Sequence, residues 1–542
     1  RPPISTLFPY TTLFRSSSSA HDRGGVWSPD GKWIAYISDE TNETEVYIIK
    51  PDGTDKTQIT KGSPSYRYQV KWSPDSKKLI CSDKTMSLYW IDVDSKKVTE
   101  ITKSKIWEIN DYNWSPDSKW IAYTDFINNY NPQIYLYSLD NKKSYPVSDP
   151  MFQSQNPVFS PCGKFLFFVS ERTFNAGIDA LDWNSYYTNN SQVFGITLQK
   201  DQLSPLSLEF ELKSKEPKPE EDKSQKDKKD ADKTKKDSEK KTEDLKIDLD
   251  GIEYRVFELP IQSAIYFNLN VVGSKVYYNR TTIETRPALW AYDLEAKKES
   301  KIGDISAYEI SKDGKKILYR ADSDYYIQDL KEGLKPGDGK LDLSDMKVNL
   351  DRKAEWKQIF DEVWRQMRDF FYDPNMHGVD WKAMNARYNE LLPYVTHRTD
   401  LTYILGEMIG ELNVGHAYVG GGEYPEVNQV PIGLLGATLE RDKSGYFKIT
   451  KIFQGRNWEE KTRSPFTEPG ININVGDFVL AIDGKSVKEV SDPYELLVDK
   501  ANKHVKIKFN SKASEDGSKE VTIKTISSEG ELRYYKDRKS VV

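Results

Sequence analysis

Four near-copies of one short unit constrain this chain more than anything else in it: VWSPDGKWIAYIS from Val26, KWSPDSKKLICS from Lys71, NWSPDSKWIAYT from Asn113 and VFSPCGKFLFFVS from Val158. Their anchors Trp27, Trp72, Trp114 and Phe159 fall 45, 42 and 45 residues apart, the period of a four-stranded propeller blade. Within each copy, Ser-Pro-Asp-Gly supplies a side-chain acceptor, a fixed φ and a residue tolerant of positive φ, so it turns the chain between two strands. WIAYI and FLFFV are apolar enough for strands buried on both faces. A further strand follows in EVYIIKPDG, SLYWIDVDS and QIYLYSLDN, each closed by a turn rich in Asp, Gly and Asn. Weaker copies occur at Gly273 to Asn279, with ALWAYDLEA after it, and at Ile310 to Arg320. Six blade signals predict a mainly β chain whose propeller, of six to seven blades, spans residues 21–343.

The repeat is broken at 211–244, where twelve lysines face twelve acidic residues with almost nothing apolar between them. Such a polyampholyte cannot bury enough surface to fold, and a solvated disordered insertion is expected. From Trp356 the period changes. Trp356, Ile359, Phe360, Val363, Trp364, Met367, Phe370 and Phe371 follow the spacing of an amphipathic helix, which Asp351 can cap and Asp373-Pro374 stops. Further helices are expected at about Asp380 to Leu392 and Thr399 to Leu412, giving a helical segment over 344–425. Strands return from Pro431 in a unit spanning 426–528, with one helix near Asp492 to Lys500. The opening RPPISTLFPYTTLFRSSSSA and the closing DRKSVV read as non-native scars, so residues 1–20 and the tail 529–542 carry no fold expectation and both ends are expected to be cut.

With 84 acidic and 78 basic residues the net charge is −6. No large positive field exists to hold a polyanion, so nucleic acid is not an expected partner. No apolar run is long enough to cross a bilayer. Cys81 and Cys162 lack the spacing of a metal or redox site and read as unpaired thiols. No metal or other cofactor is expected. The chain contains no G-x-S-x-G, P-loop, G-x-G-x-x-G or H-E-x-x-H. Among five histidines, His21 adjoins the suspected scar, and His377, His397 and His504 fall in polar turns or strand starts. His416 differs, because it stands in ELNVGHAYVGGGEY, where Asn413 to Gly415 would end a helix and Ala-Tyr-Val would begin a strand. A histidine so placed suits a general base open to a cleft, and equally a structural or helix-capping role.

Pro469-Gly470 followed by VGDFVLAIDG from Val475 resembles the PDZ family in its peptidase-associated form. In PDZ domains a peptide adds to a sheet edge and a loop of backbone N–H groups receives its terminal carboxylate; the matching loop here is Ile432 to Gly436. The order of propeller, helical segment ending in Gly-His-Ala-Tyr, glycine run and PDZ resembles the tricorn protease family from about Gly24 to Ile526. The resemblance implies a serine peptidase acting on peptides, with His416 as the base, and a nucleophilic serine in a later α/β domain that this chain lacks. Family members often carry Ser before that histidine, where Gly415 stands here. It further implies a homo-hexameric parent, a cytoplasmic location (periplasmic if the native start carries a signal peptide) and a fragment inactive by itself. Two other readings compete: a dipeptidyl-peptidase-like or TolB-like propeller, which would not place a PDZ unit after the blades, and a non-catalytic peptide-binding scaffold.

Overall fold

The computed structural model describes residues 18, 20–126, 130–179, 183–207, 245–347, 349–424 and 427–541. The charged insertion at 211–244 and all of 1–20 except Ser18 and Ala20 lie outside the described residues. The chain divides into two compact units, residues 1–422 and 423–542.

Among the described residues of the first unit, six antiparallel blade sheets follow one another along the chain, with a separate two-stranded hairpin inserted in the fourth. Blade 1 is built from Asp22–Trp27, Ile34–Ser38, Glu45–Ile49 and Thr57–Gln58. Blades 2, 3 and 5 repeat that order over 67–103, 112–146 and 265–303. Blade 4 carries an inserted hairpin, Ala176–Ile178 with Ser185–Tyr187, and takes its last strand, Val256–Glu258, from beyond the charged insertion. Blade 6 has three strands, and residues 339–341 run beside the third as an irregular fourth: Ile327 N–H donates to the Gly339 carbonyl at 2.9 Å and Leu341 N–H to the Tyr325 carbonyl at 2.8 Å. The six expected blades are thus six sheets among the described residues.

The Ser-Pro-Asp turns show why those residue types recur. Ser28 Oγ accepts from Trp33 N–H at 2.9 Å and donates to Asp30 Oδ1, which also accepts from Lys32 N–H. The same closed set forms at Ser73/Asp75, Ser115/Asp117 and Ser311/Asp313. Where Gly is replaced by Ser76 or Ser118, the residue still takes a positive φ, 60° and 61°, a conformation that costs a non-glycine residue about 1–2 kcal/mol. Each such hydroxyl reaches the turn of the preceding blade, Ser76 Oγ accepting from Asp30 N–H at 3.1 Å and Ser118 Oγ from Asp75 N–H at 3.0 Å. An interblade hydrogen bond therefore offsets the local strain.

The apolar core lies between blades. Ala35, Val46 and Ile48 meet Val70, Trp72 and Leu79 between blades 1 and 2, and comparable clusters join each later pair through blades 5 and 6. The contact that brings blade 6 back to blade 1 is thinner. Leu318 is its one buried member among the described residues, with Trp27 and Leu341 partly buried beside it. Blade 1 has Gly31 where a serine would reach Asp313, and Lys312 Nζ to the Pro29 carbonyl at 3.4 Å is the polar link there.

Helix α1 (Arg352–Phe370) begins as expected, Asp351 accepting from Lys353 and Ala354 N–H. Helices α2 (Trp381–Asn389) and α3 (Arg398–Gly410) pack on it around Phe360, Trp381, Leu401, Leu405 and Met408. One face of α1 is bolted to blades 1 and 2 by charge. Arg365 pairs with Asp39, both 6% exposed, and Asp39 also accepts from Gln358 Nε2 at 2.5 Å and His21 N–H at 2.9 Å. Arg368 grips Glu43 with two bonds of 2.7 and 2.8 Å, and Asp369 accepts from Tyr66 N–H at 2.8 Å.

The second unit is a sheet ordered Ala437–Arg441, Phe447–Ile452, Phe478–Ile482, His504–Asn510 and Lys519–Lys524 over a core including Leu435, Ile449, Phe466, Val479, Val505 and Ile507. The expected helix at Asp492 to Lys500 is only a 3-10 turn, Pro493–Leu497, because Val498 is extended and Asp499 and Asn502 take positive φ. Residues Gly530–Val541 form helix α4, and Leu532 is fully buried.

Candidate functional site

Helix α3 ends at Gly410, and Asn413, with φ 48°, turns the chain out of it. His416 follows on an irregular segment and is exposed; no hydrogen bond or ion pair reaches its ring among the described residues. The strand expected at Ala417 to Val419 does not form; Val419 packs instead against the core of the helical segment. Val414 before His416 packs against the same core. Among the described residues, neither a serine hydroxyl nor a carboxylate hydrogen-bonds to the His416 ring.

The other histidines are not simply solvated. His377 Nδ1 lies 2.8 Å from the Leu412 carbonyl and its Nε2 meets the Tyr372 hydroxyl, so this ring ties the turn after α1 to the end of the α3 segment. His397 caps α3, its Nδ1 accepting from Thr399 N–H while Asp400 reaches back to His397 N–H. His21 pairs with Glu362 at 2.8 Å, a hydrogen bond that raises the imidazole above its ordinary range and holds the carboxyl below its own. His504 opens a strand and is exposed, as expected.

Sequence reasoning missed the charged groups on the ring's first strands, which lie against one another between neighbouring blades. Lys71 on blade 2 feels the charge of Asp111, just before the first strand of blade 3, and of Glu309 on blade 6. Burial pushes Glu309 up to about 7, with Lys71 pulling the other way. Burial likewise raises Asp111 and lowers Lys71, whose Nζ donates to the Tyr112 carbonyl at 3.0 Å. A signal existed in the repeat. Lys71 and Glu309 each stand directly before the repeat positions Trp72 and Ile310, whereas Asp111 lies three residues before Trp114 and shares no such position. Where α1 crosses blades 1 and 2, a cleft of 420 Å³ is lined by Arg23, Tyr66, Tyr68, Gln69, Gln366 and Phe370.

In the second unit, the loop expected to receive a peptide carboxylate is already engaged. Gly433 N–H donates to the Leu497 carbonyl and Leu434 N–H to the Ile526 carbonyl, both at 2.8 Å. Gly436 N–H donates to Glu529 Oε1, also at 2.8 Å. The loop closes on its own chain because the segment after Lys524 folds back across it.

Comparison with known proteins follows this geometry closely. Residues 10–331 match the tricorn protease second β-propeller domain, 352–410 the tricorn protease C1 domain and 433–528 the tricorn protease PDZ domain. A putative tricorn-like protease C-terminal subunit of Sulfurisphaera tokodaii is 29% identical over 467 residues, covering 83% of this chain and 50% of the relative. Tricorn protease homolog 1 of Streptomyces coelicolor is 29% identical over 411 residues, covering 71% of this chain and 36% of that one. The crystal structure of the tricorn protease shares the fold with a TM-score of 0.73 at 19% identity, covering 93% of this chain and 48% of its own. The chain therefore spans half or less of the length of these relatives.

Proposed function

The chain belongs to the tricorn protease family, and from that premise we propose that it is the propeller-, base- and PDZ-bearing part of a serine peptidase that hydrolyses peptides, with His416 as the general base. One observation carries the reading: three tricorn protease domains match in sequence order, and His416 stands after the second of them with a ring that no other described residue engages. A free imidazole on a short tether from α3 is available to a serine brought from elsewhere in the parent protein. There it would take the serine proton during attack on the peptide carbonyl and return it to the leaving amine, by way of an acyl-enzyme. The propeller, with Lys71 and Glu309 on first strands and Asp111 just before one, would act as the filter through which peptides reach the reacting groups. A homo-oligomeric parent belongs to the same proposal.

A second reading is a peptide-binding scaffold without chemistry, in which the propeller and the PDZ-like unit hold peptides. Labelling with a serine-directed fluorophosphonate separates the two. The isolated chain should take up none, whereas the parent protein should label and lose peptide cleavage on His416→Ala with its fold intact. Labelling of the isolated chain, or turnover retained in the variant, refutes the assignment.

A further inference from the structure

The engaged loop of the second unit is more than a closed turn. The Glu529 carboxylate, 6% exposed, sits on Gly436 N–H at the head of Ala437–Arg441, the edge strand of the sheet. Three residues on, Leu532 is fully buried beside Gly436 and Gly455: a Cβ built on Gly455 would come within 2.6 Å of its Cδ1. Arg533 holds the carboxylate in place with bonds of 2.9 and 2.6 Å and stacks on Phe453 at 4.2 Å, while Arg456 lies 4.6 Å over Tyr535. A carboxylate on a backbone N–H and an apolar side chain in the adjoining pocket are the two elements by which such a loop recognises the end of a peptide. Here both come from one segment of the same chain.

We infer that residues 528–535 are an internal ligand of the PDZ-like unit, and that the site beneath them takes a peptide with a free C-terminal carboxylate and a leucine-like last side chain only when they leave. The site holds one carboxylate at a time, since Gly436 has a single N–H and Leu532 fills the neighbouring space. Occupation in cis also explains the sequence locally. A side chain on Gly455 would collide with the Thr462 carbonyl as well as with Leu532, so glycine there lets both approach. This inference concerns binding and does not depend on whether the parent cuts peptide bonds.

The test uses the full chain and a fluorescein-labelled peptide ending in leucine, as the free acid and as the amide, read by fluorescence anisotropy. Wild type should bind neither form at about millimolar peptide. Glu529→Ala should bind the free acid at least about tenfold more tightly than wild type, the loss expected when one charge-assisted hydrogen bond is the barrier, and should leave the amide unchanged. Hydrogen exchange of the 432–437 segment should speed up in that variant and slow again on adding the free acid. Leu532→Ala, which keeps the carboxylate but loosens its seat, should shift binding the same way by a smaller factor and serves if Glu529→Ala does not fold. Equal binding of acid and amide, wild-type binding as tight as the variants', or no binding by folded variants overturns the inference.

Discussion

Removing Asp39 is the sharpest perturbation of the joint between α1 and the propeller. Its carboxylate is the shared acceptor for Arg365, Gln358 and His21 N–H, and both it and Arg365 are 6% exposed. Asp39→Ala leaves the Arg365 guanidinium buried without its counter-ion, a loss of about 3–5 kcal/mol for a pair of this kind. The neighbouring Arg368–Glu43 pair is 27% and 32% exposed, so Arg368→Ala should cost about 1 kcal/mol despite its two-pronged geometry. Because a chain of two units need not unfold in one step, the readout is local: hydrogen exchange of the α1 amides over 356–368. At 1.4 kcal/mol per factor of ten, Asp39→Ala should accelerate exchange there by about a hundredfold or more, and Arg368→Ala by about fivefold. Asp39→Ala with Arg365→Leu removes both charges and should recover much of the loss, giving a clear coupling in a double-mutant cycle. Additive effects, or less than about 1 kcal/mol for Asp39→Ala alone, would show that the pair is a bystander and that α1 is held by its apolar face.

Two further perturbations probe the ring. Glu309 is raised in the fold to about 7, so between its ordinary value and about 7 the unfolded chain gives up a proton that the folded chain keeps, and stability falls as pH rises through that window. Glu309→Gln removes that penalty and should gain about 2 kcal/mol in urea unfolding at pH 8, after discounting for partial exposure, but little at pH 5; equal gains at both pH values would contradict burial as the cause. Ser118 is 1% exposed with φ 61°, so Ser118→Ala loses the bond to Asp75 N–H and keeps the strain, at about 1–2 kcal/mol. Ser118→Gly loses the same bond but relieves the backbone and should lie within about 0.5 kcal/mol of wild type by thermal melting. The reverse order would mean that the positive φ at Ser118 carries no strain for glycine to relieve.

The blades were legible because their period, anchors and turn residues are all local: Ser28, Asp30 and Gly31 specify a turn whichever blade they stand in. The helical segment was legible for the same reason, its caps and apolar stripe falling within a residue or two of α1 and α3. What the sequence concealed is what depends on distant chain meeting distant chain. Asp39 and Arg365 are 326 residues apart, and no local pattern marks either as a partner. Lys71 and Glu309 feel each other's charge although blades 2 and 6 are far apart in the chain. The loop at Ile432 to Gly436 has the right residues to receive a carboxylate, and only the return of residue 529, 93 positions later, reveals which carboxylate it holds. His416 stood out by its setting, and the role proposed for it comes from the family resemblance, since no described residue engages its ring.

The thin contact between blades 6 and 1 bears on how the ring can assemble and come apart. Every described strand of blade 1 comes from 22–58 and every described strand of blade 6 from 307–329, so among the described residues no strand is exchanged across that joint. Closing it requires Leu318 to find Trp27 and Lys312 to find Pro29, contacts at the two extremes of the repeat's sequence span. The largest loop-closure entropy in the propeller is therefore set against its smallest buried surface. The joint should accordingly be the last step of folding and the first place to breathe, a clasp that can spring and reseat while each blade keeps its own hydrogen bonds.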